Sequence, residues 1–376
     1  MNILTAQRHD TSNTSSIRKY TEIPTTQTQF HNVIVIGLGQ LGLAVARWIK
    51  RRGFNTYGYD INTKAMEIAE STAGIKQVTN FRSDGFDVYV ISVSTHKPDD
   101  MFSPQIDGLL SIADKISREA NKDGALVSIE STIPRGTSMK VFEKLNHRLH
   151  VVHAPHRWYA LEQEEHGINQ PRVIGGVSEC CLRAGMHFYA GGASTVGGMI
   201  NNTIATQSIT ISPNSSPTSI KSTQISSLSP VSLKVNKNNN SSNTTNDGLG
   251  IPMHPVSNIE IAETTKIVEN AHRYLQIAFA EDLYFYCQEN NINFPELREA
   301  LNTKWNVNIL EPREGIGGHC LPKDTKMFLQ SSKSIRSKIL RAAMEVDEDY
   351  RTMLPNSTRA TEFRNATTMM GSIALS

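Results

Sequence analysis

The chain has 376 residues, with 38 Lys and Arg against 36 Asp and Glu, a formal net charge of +2. At about 100–200 residues per domain this length predicts two domains and excludes a disulfide-stapled mini-protein. So small a net charge gives no broad field for gathering a polyanion, which argues against nucleic acid as a partner.

Residues 1–31 are rich in Thr, Ser and Gln with few large apolar groups, and read as a loose tail. From Asn32 an apolar run (Val33 to Ile36) meets a Gly-rich turn, a helical pattern follows through Lys50, and a second strand runs from Asn55 to Tyr59: one βαβ unit. Strand-like runs follow at Asp87–Val93, Ala125–Glu130 and His150–His153, with helical patterns such as Ile106–Ala120 and Thr137–Leu145 between them. This alternation predicts an α/β fold with a doubly wound parallel sheet of Rossmann type over 32–190, covered on both faces. Residues 191–255 turn to Ser, Thr and Asn without apolar period and read as a mostly disordered insertion. A long helix is expected from Ile259 to Asn290, with Ile267, Ala271, Leu275, Ala278 and Leu283 near helical spacing, as the spine of an all-helical domain over 256–350. A further helix is expected over Ser334–Tyr350, and 351–376 read as a second tail.

The four cysteines, Cys180, Cys181, Cys287 and Cys320, form no Cys-x-x-Cys pair, so a reducing compartment is the simplest setting. No apolar run reaches the roughly 18–20 residues of a membrane-spanning helix, and the polar start lacks the apolar core of a signal peptide. A cytoplasmic protein with no membrane partner is expected.

Three constellations carry chemistry. Gly37-Leu38-Gly39-Gln40-Leu41-Gly42 closes one strand and opens a helix, and Asp60 ends the next strand at the distance that sets a carboxylate on an adenosine ribose. The glycines allow close approach of a pyrophosphate to the helix N-terminus, and Asp60 repels a 2′-phosphate, which favours NAD over NADP. A turn serving only strand–helix packing is the alternative. The second constellation runs from Gly315 to Asp324 around Cys320: three glycines and Cys320 form a loop that presents a thiol, with His319 and Lys323 placed to stabilise a thiolate. The competing reading is a small buried hydrophobe in a Gly-rich turn. The third places Glu263, Lys266 and Asn270 on one face of the spine helix, either as a solvated stripe or as a cation and an amide aimed at one developing charge. Cys287, Cys180 and Cys181 read as structural. His147, His150, His153 and His156 recur at every third residue but would not converge from a strand and loop, so no metal is expected.

Together these motifs resemble the nucleotide-sugar 6-dehydrogenase family, which includes UDP-glucose, GDP-mannose and UDP-N-acetylmannosamine dehydrogenases. Gly317-Gly318-His319-Cys320 resembles the UDP-N-acetylmannosamine branch; Ser131-Thr132-Ile133-Pro134, the Ala262 to Asn270 stretch and Arg172-Val173-Ile174-Gly175-Gly176 support the match. The resemblance implies oxidation of a nucleotide sugar at C6 from alcohol to carboxylate through a Cys320 thiohemiacetal and thioester, with NAD as cofactor. It implies Lys266, Asn270, Asp324 and Thr132 as catalytic partners. Lys64, Thr95, Thr132 and Lys323 become cofactor contacts beside the Gly37–Gly42 loop and Asp60. Lys266, Asn270, Gly317 and Arg157 become substrate contacts, and a homodimer is expected.

Three departures from the family stand out. Pro155-His156-Arg157 replaces the usual Pro-Glu-Arg; the 191–255 insertion interrupts the match; and nothing after Tyr350 reads as the family's third, nucleotide-binding domain, so the chain reads as truncated. Two alternatives therefore stay open: a two-electron β-hydroxyacid-type dehydrogenase, against which Cys320 argues, and an NAD-binding remnant without turnover.

Overall fold

The computed structural model describes residues 29–82, 84–158, 167–191, 248–331 and 337–353. Nearly all of the expected N-terminal tail, insertion and C-terminal tail lies outside them; residues 29–31 of the first are described, and Phe30 is buried in the core. Strands β1 (Asn32–Ile36), β2 (Asn55–Tyr59), β3 (Lys76–Gln77), β4 (Val88–Ile91), β5 (Leu126–Ile129), β6 (His150–His153), β7 (Arg172–Gly176) and β8 (Met253–Pro255) form one sheet in the order β3-β2-β1-β4-β5-β6-β7-β8. Helices α1 (Gln40–Arg51), α2 (Thr63–Ala73), α3 (Asp107–Glu119), α4 (Thr137–Lys144) and α5 (Glu179–Ala190) cover it. The order reverses beside β1, so the connections leaving the carboxyl ends of β1 and β4 go to opposite sides and open a crevice there.

The strands are short because they are buried on both faces: all four residues of β4, β5 and β6 are buried, as a covered parallel sheet requires. The expectation of a fully parallel sheet needs one correction. β7 runs antiparallel to β6, and β8 then pairs parallel with β7. The alternating pattern upstream does not foretell this reversal of direction after β6. A second difference concerns 191–255: residues 248–255 close the sheet, with Leu249 and Ile251 each 1% exposed.

The helical part consists of α6 (Ile259–Glu289), α7 (Phe294–Asn302), α8 (Cys320–Gln330) and α9 (Lys338–Met353). Helix α6 begins on the sheet. A Cβ on Gly175 would lie 2.7 Å from the Ile259 Cα, so only glycine lets the helix approach β7 this closely. Farther along, Tyr274 and Ala278 of α6 close a small second core with Ile316 and Ala343. The expected loop around Cys320 is instead the start of helix α8, with Cys320 as its first residue.

Candidate active site

The Gly37–Gly42 turn follows β1 directly. Gly37 has φ +89°, and a Cβ on Gly42 would lie 1.8 Å from the Gly37 carbonyl oxygen, so turn and helix close on each other tightly. Gly39 faces open space, with nothing within 4 Å of where its Cβ would be. That opening, above the free N–H groups of α1, fits the pyrophosphate of a dinucleotide. Asp60, just past β2, accepts the Leu38 N–H at 2.7 Å and the Asn62 N–H at 2.8 Å. The carboxylate thus fixes the turn. Gln40 and Lys64 are exposed and Leu41 half-buried at the starts of α1 and α2.

Across the crevice, α6 and α8 bring the remaining residues to the carboxyl ends of β4 and β5. Thr95 donates its hydroxyl to the Thr132 carbonyl at 2.7 Å, joining the segments after those two strands. Lys323 Nζ donates to Thr95 Oγ1 at 3.3 Å and to Asp324 Oδ1 at 2.6 Å. The other Asp324 oxygen accepts from Asn270 Nδ2, and Asn270 Oδ1 lies 3.5 Å from Lys266 Nζ. Lys323 and Asp324 are buried, whereas Lys266 and Asn270 keep part of their surface open. A chain of polar groups therefore runs from the sheet to the spine helix and ends at an accessible ammonium and amide.

Cys320 is the exposed thiol among the described cysteines; Cys180, Cys181 and Cys287 are buried. Desolvation of its sulfur and the charge of Asp324 push the Cys320 pKa up, while Lys323 and Lys266 pull it down. His319 lies 3.7 Å from the sulfur, but burial and Lys323 lower its pKa, so its imidazole is not the cation expected to stabilise a thiolate. The two lysines are. The loop before Cys320 is held from α9: Asp347 accepts the Ile316 N–H at 3.0 Å and the Tyr274 hydroxyl at 2.8 Å, and Arg351 donates to the Ile316 carbonyl. Sequence reasoning gave α9 no part in the site. Gly317, three residues before Cys320, is exposed.

Two expectations change. Glu263 is fully buried, and its oxygens accept the Gly136 and Ser138 N–H groups at 2.6 and 2.7 Å, capping α4 where no side chain of that segment does. It is a cap, not a member of a solvated stripe. Arg157 pairs with Glu269 and donates to the Pro171 carbonyl at 3.0 Å, so its guanidinium ties the segment after β6 to α6 instead of standing open for a substrate. Its neighbour His156 is buried against Glu130, which also accepts from Tyr189 and Arg172. Burial works to raise the Glu130 pKa, but His156 and Arg172 outweigh it and hold the carboxyl at about 2. Burial and Arg172 lower His156 to about 4. At neutral pH, then, a neutral imidazole faces a carboxylate.

The UDP-glucose/GDP-mannose dehydrogenase family matches in two parts, its NAD-binding domain over residues 70–191 and its central domain over 260–349. The UDP-N-acetyl-D-mannosamine dehydrogenase of Methanococcus maripaludis is 26% identical over 345 residues, covering 86% of this chain and 67% of that protein. The Campylobacter jejuni protein of the same name is 25% identical, covering 85% and 72%. In three dimensions the UDP-D-ManNAc dehydrogenase of Pyrococcus horikoshii aligns with a TM-score of 0.61 at 23% identity, over 85% of this chain and 68% of that one. The chain thus spans about two thirds of the relatives' length, and within that span it carries the Gly37–Gly42 turn, the spine-helix lysine and asparagine, and the helix-start cysteine. With its sheet, its spine helix and both matched domains in agreement, the chain belongs to the UDP-glucose/GDP-mannose dehydrogenase family, whose cofactor is NAD.

Proposed function

We propose that the chain oxidises the C6 alcohol of a UDP-sugar of the N-acetylmannosamine type to the carboxylate, with Cys320 as covalent nucleophile. The observation that carries this reading is the convergence of Lys266, Asn270, Lys323 and Asp324 beside one open thiol at the rim of the dinucleotide cleft. NAD⁺ on the Gly37–Gly42 turn supplies the acceptor for one hydride in each of two oxidations.

Lys266 and Asn270 hold the C6 oxygen, where an ammonium and an amide N–H favour the negative charge that develops as the alcohol is oxidised. The Cys320 sulfur then adds to the aldehyde carbon. A C–S bond forms, the carbonyl opens, and the thiol proton ends on the oxygen. The carbon is tetrahedral again and carries a hydrogen that can leave as hydride, giving a thioester. Attack by water breaks the C–S bond and returns the thiol, with Asp324 taking the proton from water. Thr132, its main chain pinned by Thr95, lends a hydroxyl to that water or to the cofactor.

The same reading includes a homodimer through α6. Phe279 and Tyr286, 57% and 54% exposed, recur at helical spacing along one groove with Leu283 and Phe285, flanked by Asp282 and Glu289, and a second copy would cover these apolar groups.

The test is NADH formation against a panel of UDP- and GDP-sugars. Two NADH per UDP-N-acetylmannosamine are expected. Cys320→Ser should stop after the first NADH or fall far in rate with NAD binding intact, and Lys266→Ala should impair both oxidations. One NADH per small β-hydroxy acid would replace this reading with a two-electron dehydrogenase. NAD binding without any turnover would replace it with a binding-only chain.

A further inference from the structure

The sheet has a second cluster of ligating side chains, at the edge opposite the active site. His150 opens β6, and Cys180 and Cys181 lie in the first turn of α5, 1%, 6% and 0% exposed in that order. One ligand atom from each can be chosen so that all lie within 4.8 Å of one another. Neighbouring residues of a helix point about 100° apart. Here both sulfurs nevertheless lie 3.1 Å from the Ser178 hydroxyl at the head of α5, so they converge on one place. Neither ring nitrogen of His150 has an oxygen or nitrogen partner; the group facing it is the Cys180 thiol. A main-chain hydrogen bond from Val151 reaches the Cys181 sulfur. Packing alone is better served by apolar side chains, since a buried imidazole without strong partners is costly.

We propose that His150, Cys180 and Cys181 form a structural zinc site, with the Ser178 hydroxyl beside the fourth coordination position. Thiolate and imidazole ligands select zinc or copper(I) over hard cations. Charge separates those two. Two thiolates and a neutral imidazole cancel Zn²⁺, whereas with Cu⁺ they leave one uncompensated negative charge in the core. The charge of Arg183, which reaches His150, is itself paired with Glu179. On binding, two S–H bonds are replaced by two Zn–S bonds, two protons leave to solvent, and no electron moves. Because β7 runs antiparallel to β6, the start of α5 returns to the edge where β6 begins, which is what brings these residues together. The ion would staple β6 to the helix that covers it, away from Cys320.

The test uses the full chain purified without chelator from zinc-supplemented cells, with elemental analysis as readout. About one zinc per chain is expected after exhaustive dialysis. Reduced apo-protein given Co²⁺ should show thiolate-to-cobalt charge-transfer absorption and the ligand-field bands of a tetrahedral site. Cys180→Ser, Cys181→Ser and His150→Asn should each weaken or abolish both signals, and Cys320→Ser should retain them. Should a variant fail to fold, chelation of the intact chain should lower its thermal midpoint, and Zn²⁺ but not Mg²⁺ should restore it. Absence of zinc together with absence of the cobalt charge-transfer band overturns the proposal. So does metal retained equally by all three variants, or a chelator without effect on the midpoint.

Discussion

Desolvation raises the pKa of both Cys320 and Glu281, with opposite consequences. Desolvation and Asp324 raise the Cys320 pKa above that of an ordinary thiol, with Lys323 and Lys266 limiting the rise. Its alkylation by iodoacetamide should therefore accelerate with pH through and beyond 9, the unperturbed value, and Lys323→Met should move the profile to still higher pH. The other three cysteines are buried and should react only after unfolding. Glu281, on the inner face of α6, has two carboxyl oxygens without a hydrogen-bond partner. Burial and Asp347 push it up to about 8, against the pull of Arg351, and Tyr274 and Tyr350 lie in the same pocket. A folded pKa above the unfolded 4.5 means that the folded state holds the proton more firmly. That stability is complete below the unfolded value and is lost as pH rises through the folded one. Glu281→Gln should thus stabilise the fold near about pH 9 by on the order of 1–3 kcal/mol, read as a higher thermal midpoint, and change it little near about pH 4.

At the scale of elements, the join between the two domains depends on a helix end. Helix α4 starts after Gly136 with no side-chain cap of its own, and the carboxylate of Glu263 from α6 satisfies two of its free N–H groups. Glu263→Gln leaves one of them facing an amide NH₂. A loss of about 1–3 kcal/mol in urea unfolding is expected, with NAD affinity reduced less than stability. Helix α9 supports the site in the same indirect way, since Asp347 and Arg351 fix the backbone at Ile316, ahead of Cys320. α6 is thus a shared beam: its first half meets the sheet and α8, its second half meets α9.

For the whole molecule, the proposed dimer rests on the outer stripe of α6. Phe279 and Tyr286 expose large apolar surface, which a monomer would leave wet. Light scattering of the full chain at micromolar concentration should give a dimer, and Phe279→Asp combined with Tyr286→Asp should shift it to monomer while leaving the circular dichroism spectrum unchanged. A wild-type chain that stays monomeric would remove the dimer from the proposed function. Among the described residues no helix is long and apolar enough to cross a membrane.

The sequence by itself determined what short-range chemistry controls. Gly37 to Gly42 and Asp60 declare the dinucleotide turn because strand, turn, helix and acidic residue fall within one βαβ unit. The spacing of Lys266 and Asn270 places them together on any helix. Tertiary structure alone decided what depends on partners far along the chain. Glu263 looked like part of a solvated stripe because its partners Gly136 and Ser138 precede it by more than a hundred residues. His319 looked like a cation because its burial and the nearness of Lys323 are not written in its neighbours. The four-histidine ladder, read as a strand and loop by itself, pointed away from metal chemistry. Once β7 turns back along β6, however, His150 meets two cysteines from another element. Local spacing fixes which atoms a segment offers; only the packing of distant segments fixes which of those atoms meet, and in what dielectric.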